Sequence, residues 1–397
     1  MWRTSLRLTL TCCALAGAAT AQLAPGPDLA PGAGRATGLA PGAGPQLYLT
    51  TADDFLSGAV VGLADSHAPA LEVLAATAGA QHLRRFGRQL FVVDRGADTV
   101  QRVSLDGGPP QLYQLESGAA PMDVLVDGPP MAAGAAWLSL RSDPALKALD
   151  LSTGATTDLV DLSPVGGGSP VVPGMMIRHG DRLFVQVRVV DDQRLEAPSG
   201  DHGALAVVDL PSGQLLDVDR VSAGVQGVAL MGAPPRFKMQ IVGQTLFVST
   251  TDSTNDVRGG IERVDLGTLA STGYAVSEAT GHSDMGGFVM LDESRGYYVF
   301  HTDLLSSTHL VGFHVGQGPT TEGMIDLLGD TVDVLVHDPW RRRLYLPSGY
   351  ATASTGDGPG LYSFNTRTNT FDGPPLNTGA RPHDVLLVLP ILSGPAP

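Results

Sequence analysis

Two short stretches of the chain share a pattern but sit in unlike surroundings. "GAAPMDVLVDG" (118–128) opens a long series of strand-like segments, whereas "GARPHDVLLVL" (379–389) stands at the end of such a series and opens nothing. Around them a larger period is visible. "QLYLTTADD" (46–54), "QLFVVDRGAD" (89–98), "AWLSLRSD" (136–143), "RLFVQVRVVDD" (182–192), "TLFVSTTDS" (245–253), "GYYVFHTD" (296–303) and "RLYLPSG" (343–349) are short β-rich runs that end in polar turns. They recur at intervals of roughly 40–60 residues, the spacing of a repeat architecture.

Each run is followed by a second recurring segment, among them "TVQRVSLDGG", "LKALDLSTG", "ALAVVDLPSG" and "LYSFNTRTN". A further, outer strand is expected in most units, for example "LYQLESG" (112–118) and "LLDVDRVSAG" (215–224). Inner strands such as "MDVLVDG", "GMMIRHG", "FKMQIVG", "GGFVMLD" and "VDVLVHD" precede the units. Alternating apolar residues read as half-buried strands. Four antiparallel strands per unit, seven times over, predict an all-β, seven-bladed β-propeller. The first unit has no inner strand upstream, and "PHDVLLVL" is an inner strand without its other three. The C-terminal strand is therefore expected to join the N-terminal blade, close the ring and remove the open sheet edges.

"LFVVDRGADTVQRVSLDGG" followed by "GAAPMDVLV", and "LYLPSG" with "GLYSFNTRTNTF" followed by "TGARPHDVLLV", resemble the repeats of YVTN-type propellers, which are related to NHL and lactonase-like propellers. The resemblance spans most of the chain after residue 45 and rests on structural positions, so it speaks to fold more than chemistry. It implies a place among surface-layer and periplasmic binding proteins, lactonases and metal-dependent hydrolases. No lactonase active site maps residue by residue.

Residues 1–21 read as a signal peptide, with Arg3 and Arg7 before an apolar stretch and Ala19-Thr20-Ala21 as the cleavage site, so a secreted or periplasmic location is expected. Residues 22–45, with Leu-Ala-Pro-Gly three times, read as a disordered Pro/Gly/Ala-rich linker. A single propeller domain is expected over 46–390, then a short tail over 391–397. Both cysteines, Cys12 and Cys13, fall within the signal, which leaves no thiol for a disulfide, a thiolate metal site or a covalently attached haem. No later apolar run approaches the length that spans a bilayer.

The formal charge of −15 becomes −17 once Arg3 and Arg7 are removed. That charge, without a basic stripe interleaved with aromatics, argues against nucleic acid as a partner. The basic run Arg341-Arg342-Arg343 reads as a solvated hairpin, and Trp137 and Trp340 as blade packing. Only two lysines occur, Lys147 and Lys238, and aspartates outnumber glutamates 33 to 7, which suits turns in which aspartate bonds its own backbone.

In a propeller, the turns between second and third strands and the entrances to the inner strands share the face around the channel mouth. The entrances carry Asp123, His282 with Asp284, Asp333, and His383 with Asp384; the other turns carry Asp53, Asp54, Asp94, Asp191, Asp192, Asp252, His301 and Asp303. Insertions at 191–202, 251–259 and 350–360 enlarge the same face, where binding loops usually lie. Three roles stay open for these residues. They could hold a divalent cation, Ca²⁺ for an oxygen set or a transition metal for a His/Asp set. They could serve as general acids and bases. The repeated Asp123, Asp333 and Asp384 could instead cap the turn before each inner strand. No Gly-x-Ser-x-Gly elbow, EF-hand loop or phosphate-cradling loop occurs. The first reading is a non-catalytic binding or scaffold module, a monomer taking a protein, glycan or small-molecule ligand on the loop face. The second is a lactonase-like or divalent-metal-assisted hydrolase at the channel mouth.

Overall fold

A computed structural model describes residues 46–53, 57–63, 71–77, 82–126, 134–190, 202–219, 221–251, 258–281, 284–303, 307–320, 325–327, 334–348, 360–378 and 380–388. The expected signal peptide, linker and tail lie outside them. All belong to one compact unit, Ala36–Pro397.

The strands form seven antiparallel sheets. Blade 1 joins Arg381–Val388 to Gln46–Asp53, Ser57–Leu63 and Leu71–Thr77; blade 2 runs His82–Phe86, Gln89–Asp94, Thr99–Ser104 and Gln111–Gln114. Blade 3 runs Pro121–Leu125, Ala135–Leu140, Asp143–Asp150 and Thr156–Asp161. Blades 4, 5, 6 and 7 begin with Val171–His179, Pro235–Val242, Asp284–Met290 and Val336–Asp338. The expected ring closure is present, with Tyr48 opposite Leu386 and Leu49 opposite Val385.

The strands next to the inner ones are buried almost without interruption, as in "LFVV" of blade 2 and "LFVQV" of blade 4. Strict alternation fails there because each sheet is covered on both faces by its neighbours. The apolar side chains form seven clusters, each shared by adjacent blades. Leu47, Leu49, Val334, Tyr345 and Val385 join blades 7 and 1, and Tyr48, Val60, Leu83, Leu90 and Val92 join blades 1 and 2. The final strand thus supplies core to the seam as well as a hydrogen-bonded edge.

Two expectations are corrected. The outer strand expected over 215–224 is not continuous: blade 4 has only the paired pieces Gln214–Leu215 and Val228–Ala229, and Val218 N–H turns back to the Gln226 carbonyl at 3.0 Å. An outer strand contacts one neighbour only, so a bent segment costs little ladder. Trp137 is fully buried as expected, but Trp340 is 51 % exposed, because its Asp338-Pro339 turn projects beyond the blade core.

Candidate functional site: a charged network across the channel

The inner strands share a second irregularity. In blades 1, 3, 4, 5 and 6 the register between first and second strand breaks near the start of the inner strand, and in blades 1 and 3 the extra residues are His383 and Met122. A bulge bends the strand and redirects the side chains beside it. Asp384 and Asp123 directly follow these bulges, and both are fully buried.

Each aspartate accepts the N–H of the residue after it and an N–H from the inner strand of the next blade. For Asp384 these are Val385 and Leu83, both at 2.7 Å. For Asp123 they are Val124 at 2.8 Å and Met176 at 2.7 Å. Each carboxylate therefore binds one blade to its neighbour, a broader role than capping a turn.

Cations complete both shells. Lys238 of blade 5 reaches across the channel, its Nζ 2.6 Å from Asp384 Oδ1. Arg84 of blade 2 donates from Nε to Asp123 Oδ1 at 2.8 Å and from Nη2 to Asp123 Oδ2, and Nη2 also meets the Met176 carbonyl of blade 4 at 2.7 Å. Between the carboxylates stands His82, with Nδ1 2.8 Å from Asp384 and Nε2 3.4 Å from Asp123. Three basic groups and two acids from blades 1, 2, 3 and 5 thus form one connected network.

Burial alone would raise both carboxyls. The ion pairs outweigh it, with Arg84 and His82 holding Asp123, and Lys238 and His82 holding Asp384, well below the usual carboxylate range. Burial opposes the charge of Arg84 too, yet Asp123 raises its pKa overall. Carboxylates so engaged offer a metal ion little unless Arg84 and Lys238 withdraw. Among the described residues, no group of three His, Cys, Asp or Glu is placed to hold one.

Above this network the mouth carries positive charge. Arg95 and Arg141 lie in the turns after the second strands of blades 2 and 3, Arg236 lies in the bulge of blade 5, and no carboxylate of the described residues pairs with them. Burial, then the nearby charges of Arg141 and Arg236, lowers the Arg95 pKa. His301 lies near the end of the second strand of blade 6, Arg295–Asp303, opposite Asp284 in register and 3.1 Å through Nδ1 from Thr308 Oγ1. Burial, with His309 and Arg236 nearby, pushes its pKa down to about 4.

Of the residues proposed from sequence, Asp123 and Asp384 meet through His82, and His301 stands at the mouth. His383 is the half-buried bulge residue of the closing strand, Asp94 caps its own turn by accepting Ala97 N–H at 3.0 Å, and Asp53, Asp284 and Asp303 are placed by their backbones. His282, Asp333, Asp54, Asp191, Asp192 and Asp252 lie outside the described residues. Sequence reasoning missed His82, Arg84 and Lys238. The rarity of lysine was one available signal, since Lys238 is one of two in the chain.

No family model matches the chain, and no curated protein matches it. Solved structures do. A protein from Lactobacillus plantarum aligns at a TM-score of 0.53 and 15 % identity, over 87 % of this chain and 99 % of that one. Dihydro-heme d1 dehydrogenase NirN, in complex with DHE, aligns at 0.50 and 11 %, over 86 % and 74 %. AztD of Citrobacter koseri aligns at 0.46 and 15 %, over 85 % and 84 %. At these identities the likeness establishes the β-propeller fold and nothing finer.

Proposed function

We propose that the protein is a secreted or periplasmic binding module of the YVTN/NHL-like propeller group that takes an acidic ligand, a protein segment or a glycan, at the channel mouth. The observation that carries this reading is the arginine set Arg95, Arg141 and Arg236, in the turns after the second strands of blades 2 and 3 and the bulge of blade 5, with no carboxylate partner among the described residues, beside a channel whose acids Asp123 and Asp384 are engaged. Guanidinium forks suit carboxylate and sulfate geometry.

The test is calorimetric titration of the full chain with heparin and with polyglutamate. Saturable binding with Kd at or below about 0.1 mM is expected. The Arg95→Glu/Arg141→Glu variant should weaken it by at least about tenfold. A wild type that binds neither polymer sinks the proposal.

One observation favours a hydrolase as second reading. Burial pushes the His301 pKa down to about 4, so its imidazole is free to accept a proton at neutral pH, although a pKa that low makes it a weak base and keeps this reading second. Hydrolysis of a lactone panel, abolished in His301→Gln with no change in melting temperature, would move the assignment there.

A further inference from the structure

A second basic site lies on the face opposite the mouth. The turns between first and second strands, and between third and fourth, emerge there. Between blades 6 and 7 they surround a cleft of about 640 Å³, within the range of small-molecule sites. Its rim carries Arg295, Arg342, Arg367, His314 and His337.

Backbone contacts fix this rim. The Arg342 carbonyl accepts both the N–H and the hydroxyl of Thr366, at 2.9 and 3.0 Å, which brings the turn bearing Arg342 against the turn bearing Arg367. Arg342 and Asn369 occupy left-handed backbone, φ 55° and 54°, as tight turns of this kind require. Tyr297 Oη donates to Asn369 Oδ1 at 2.9 Å and ties blade 6 to blade 7 across the floor of the cleft.

The charges around the cleft are unequally matched. Arg341 pairs with Asp338, Arg343 with Asp372, and Arg295 with Asp292. Arg342 and Arg367 have no carboxylate partner among the described residues, and both are exposed. The run Arg341-Arg342-Arg343 is thus no uniform solvated hairpin: its outer members support the blade, and its middle member faces the cleft. Burial lowers the His337 pKa, with Asp338 opposing the shift and Arg295 adding to it.

We propose that this interblade cleft binds a small multivalent oxyanion, a polycarboxylate or a phosphate compound, through Arg342 and Arg367. The turns that carry the two arginines are tied together through Thr366, so both guanidiniums can donate to one ligand's oxygens, and the imidazoles of His314 and His337 add donors. The site is independent of the channel mouth.

The experiment is calorimetric titration of the full chain with citrate and, separately, with pyrophosphate, which distinguishes carboxylate from phosphoryl recognition. At least one should bind with one-to-one stoichiometry and Kd at or below about 1 mM. Arg342→Glu/Arg367→Glu should weaken that binding by at least about tenfold, and Arg95→Glu/Arg141→Glu should leave it unchanged. If the double reversal lowers the melting temperature, Arg367→Gln on its exposed turn supplies the comparison. Binding of neither probe, binding indifferent to both cleft variants, or binding lost only in the mouth variant overturns the proposal.

Discussion

Replacing Asp384 by Asn tests whether the channel network holds the ring together. The carboxylate accepts Leu83 N–H, Val385 N–H and Lys238 Nζ, and faces His82 Nδ1. An amide keeps one acceptor oxygen and turns an NH₂ toward the donors on its other side. Removing one partner of a buried pair costs about 3–5 kcal/mol. Lys238 is 25 % exposed and can regain water, so the lower end applies, about 3 kcal/mol. For a domain of this size that lowers the thermal midpoint by about 4 °C. Lys238→Met should cost less, and the double variant should be no worse than Asp384→Asn alone, since both remove the same contact. The assay is calorimetric and chemical unfolding of the four proteins. Strict additivity, with coupling below about 0.5 kcal/mol, would refute the reasoning. The pH dependence supplies an independent check. A carboxyl held below its usual range stabilises the fold at pH above about 4, and this stability is lost as pH falls further, toward the folded-state pKa. The acid limb of the wild-type stability curve should therefore flatten in Asp384→Asn.

Truncation before Arg381 removes the inner strand of blade 1 with its buried Val385 and Val388, and it exposes the edge of Gln46–Asp53. A broadened, protein-concentration-dependent unfolding transition is expected; a sharp transition at the wild-type midpoint would contradict closure by this strand. His301 prefers the neutral form in the folded state, so the wild type should lose stability as pH falls from about 6.5 to about 4. His301→Gln should remove about 1–2 kcal/mol of that loss, discounted for partial exposure, as urea midpoints at the two ends of the window would register.

The ring was legible in sequence because closure leaves a mark on the period. A unit without an inner strand at one end and an inner strand without its unit at the other can be completed only by each other, and Tyr48 opposite Leu386 is the result. The aspartates were legible as recurring letters, but what they bind was not. Asp123 and Arg84 are 39 positions apart, Asp384 and Lys238 146, and Asp384 and Leu83 301, and no local pattern encodes such pairings. Blade 2 adds to the difficulty, since its inner strand, "HLRRF", has His82 where blades 1 and 3 carry Asp384 and Asp123 and does not look like a member of the series.

The acidic composition misdirects for a related physical reason. Asp150 accepts the N–H groups of Ser152 and Thr153, Asp265 those of Gly267 and Thr268, and Asp292 those of Ser294 and Arg295. Their abundance follows from the many turns a propeller needs, with aspartate closing each by a local bond. Such carboxylates are dispersed one per turn around the ring, and their charges do not converge. Arginine cannot accept a hydrogen bond, so it has no equivalent part in closing turns. Where arginines have no carboxylate partner among the described residues, as at Arg95, Arg141 and Arg236 or at Arg342 and Arg367, turn formation does not account for them. In this chain an uncompensated cluster of the minority charge is therefore the better guide to a binding surface than the sign of the total.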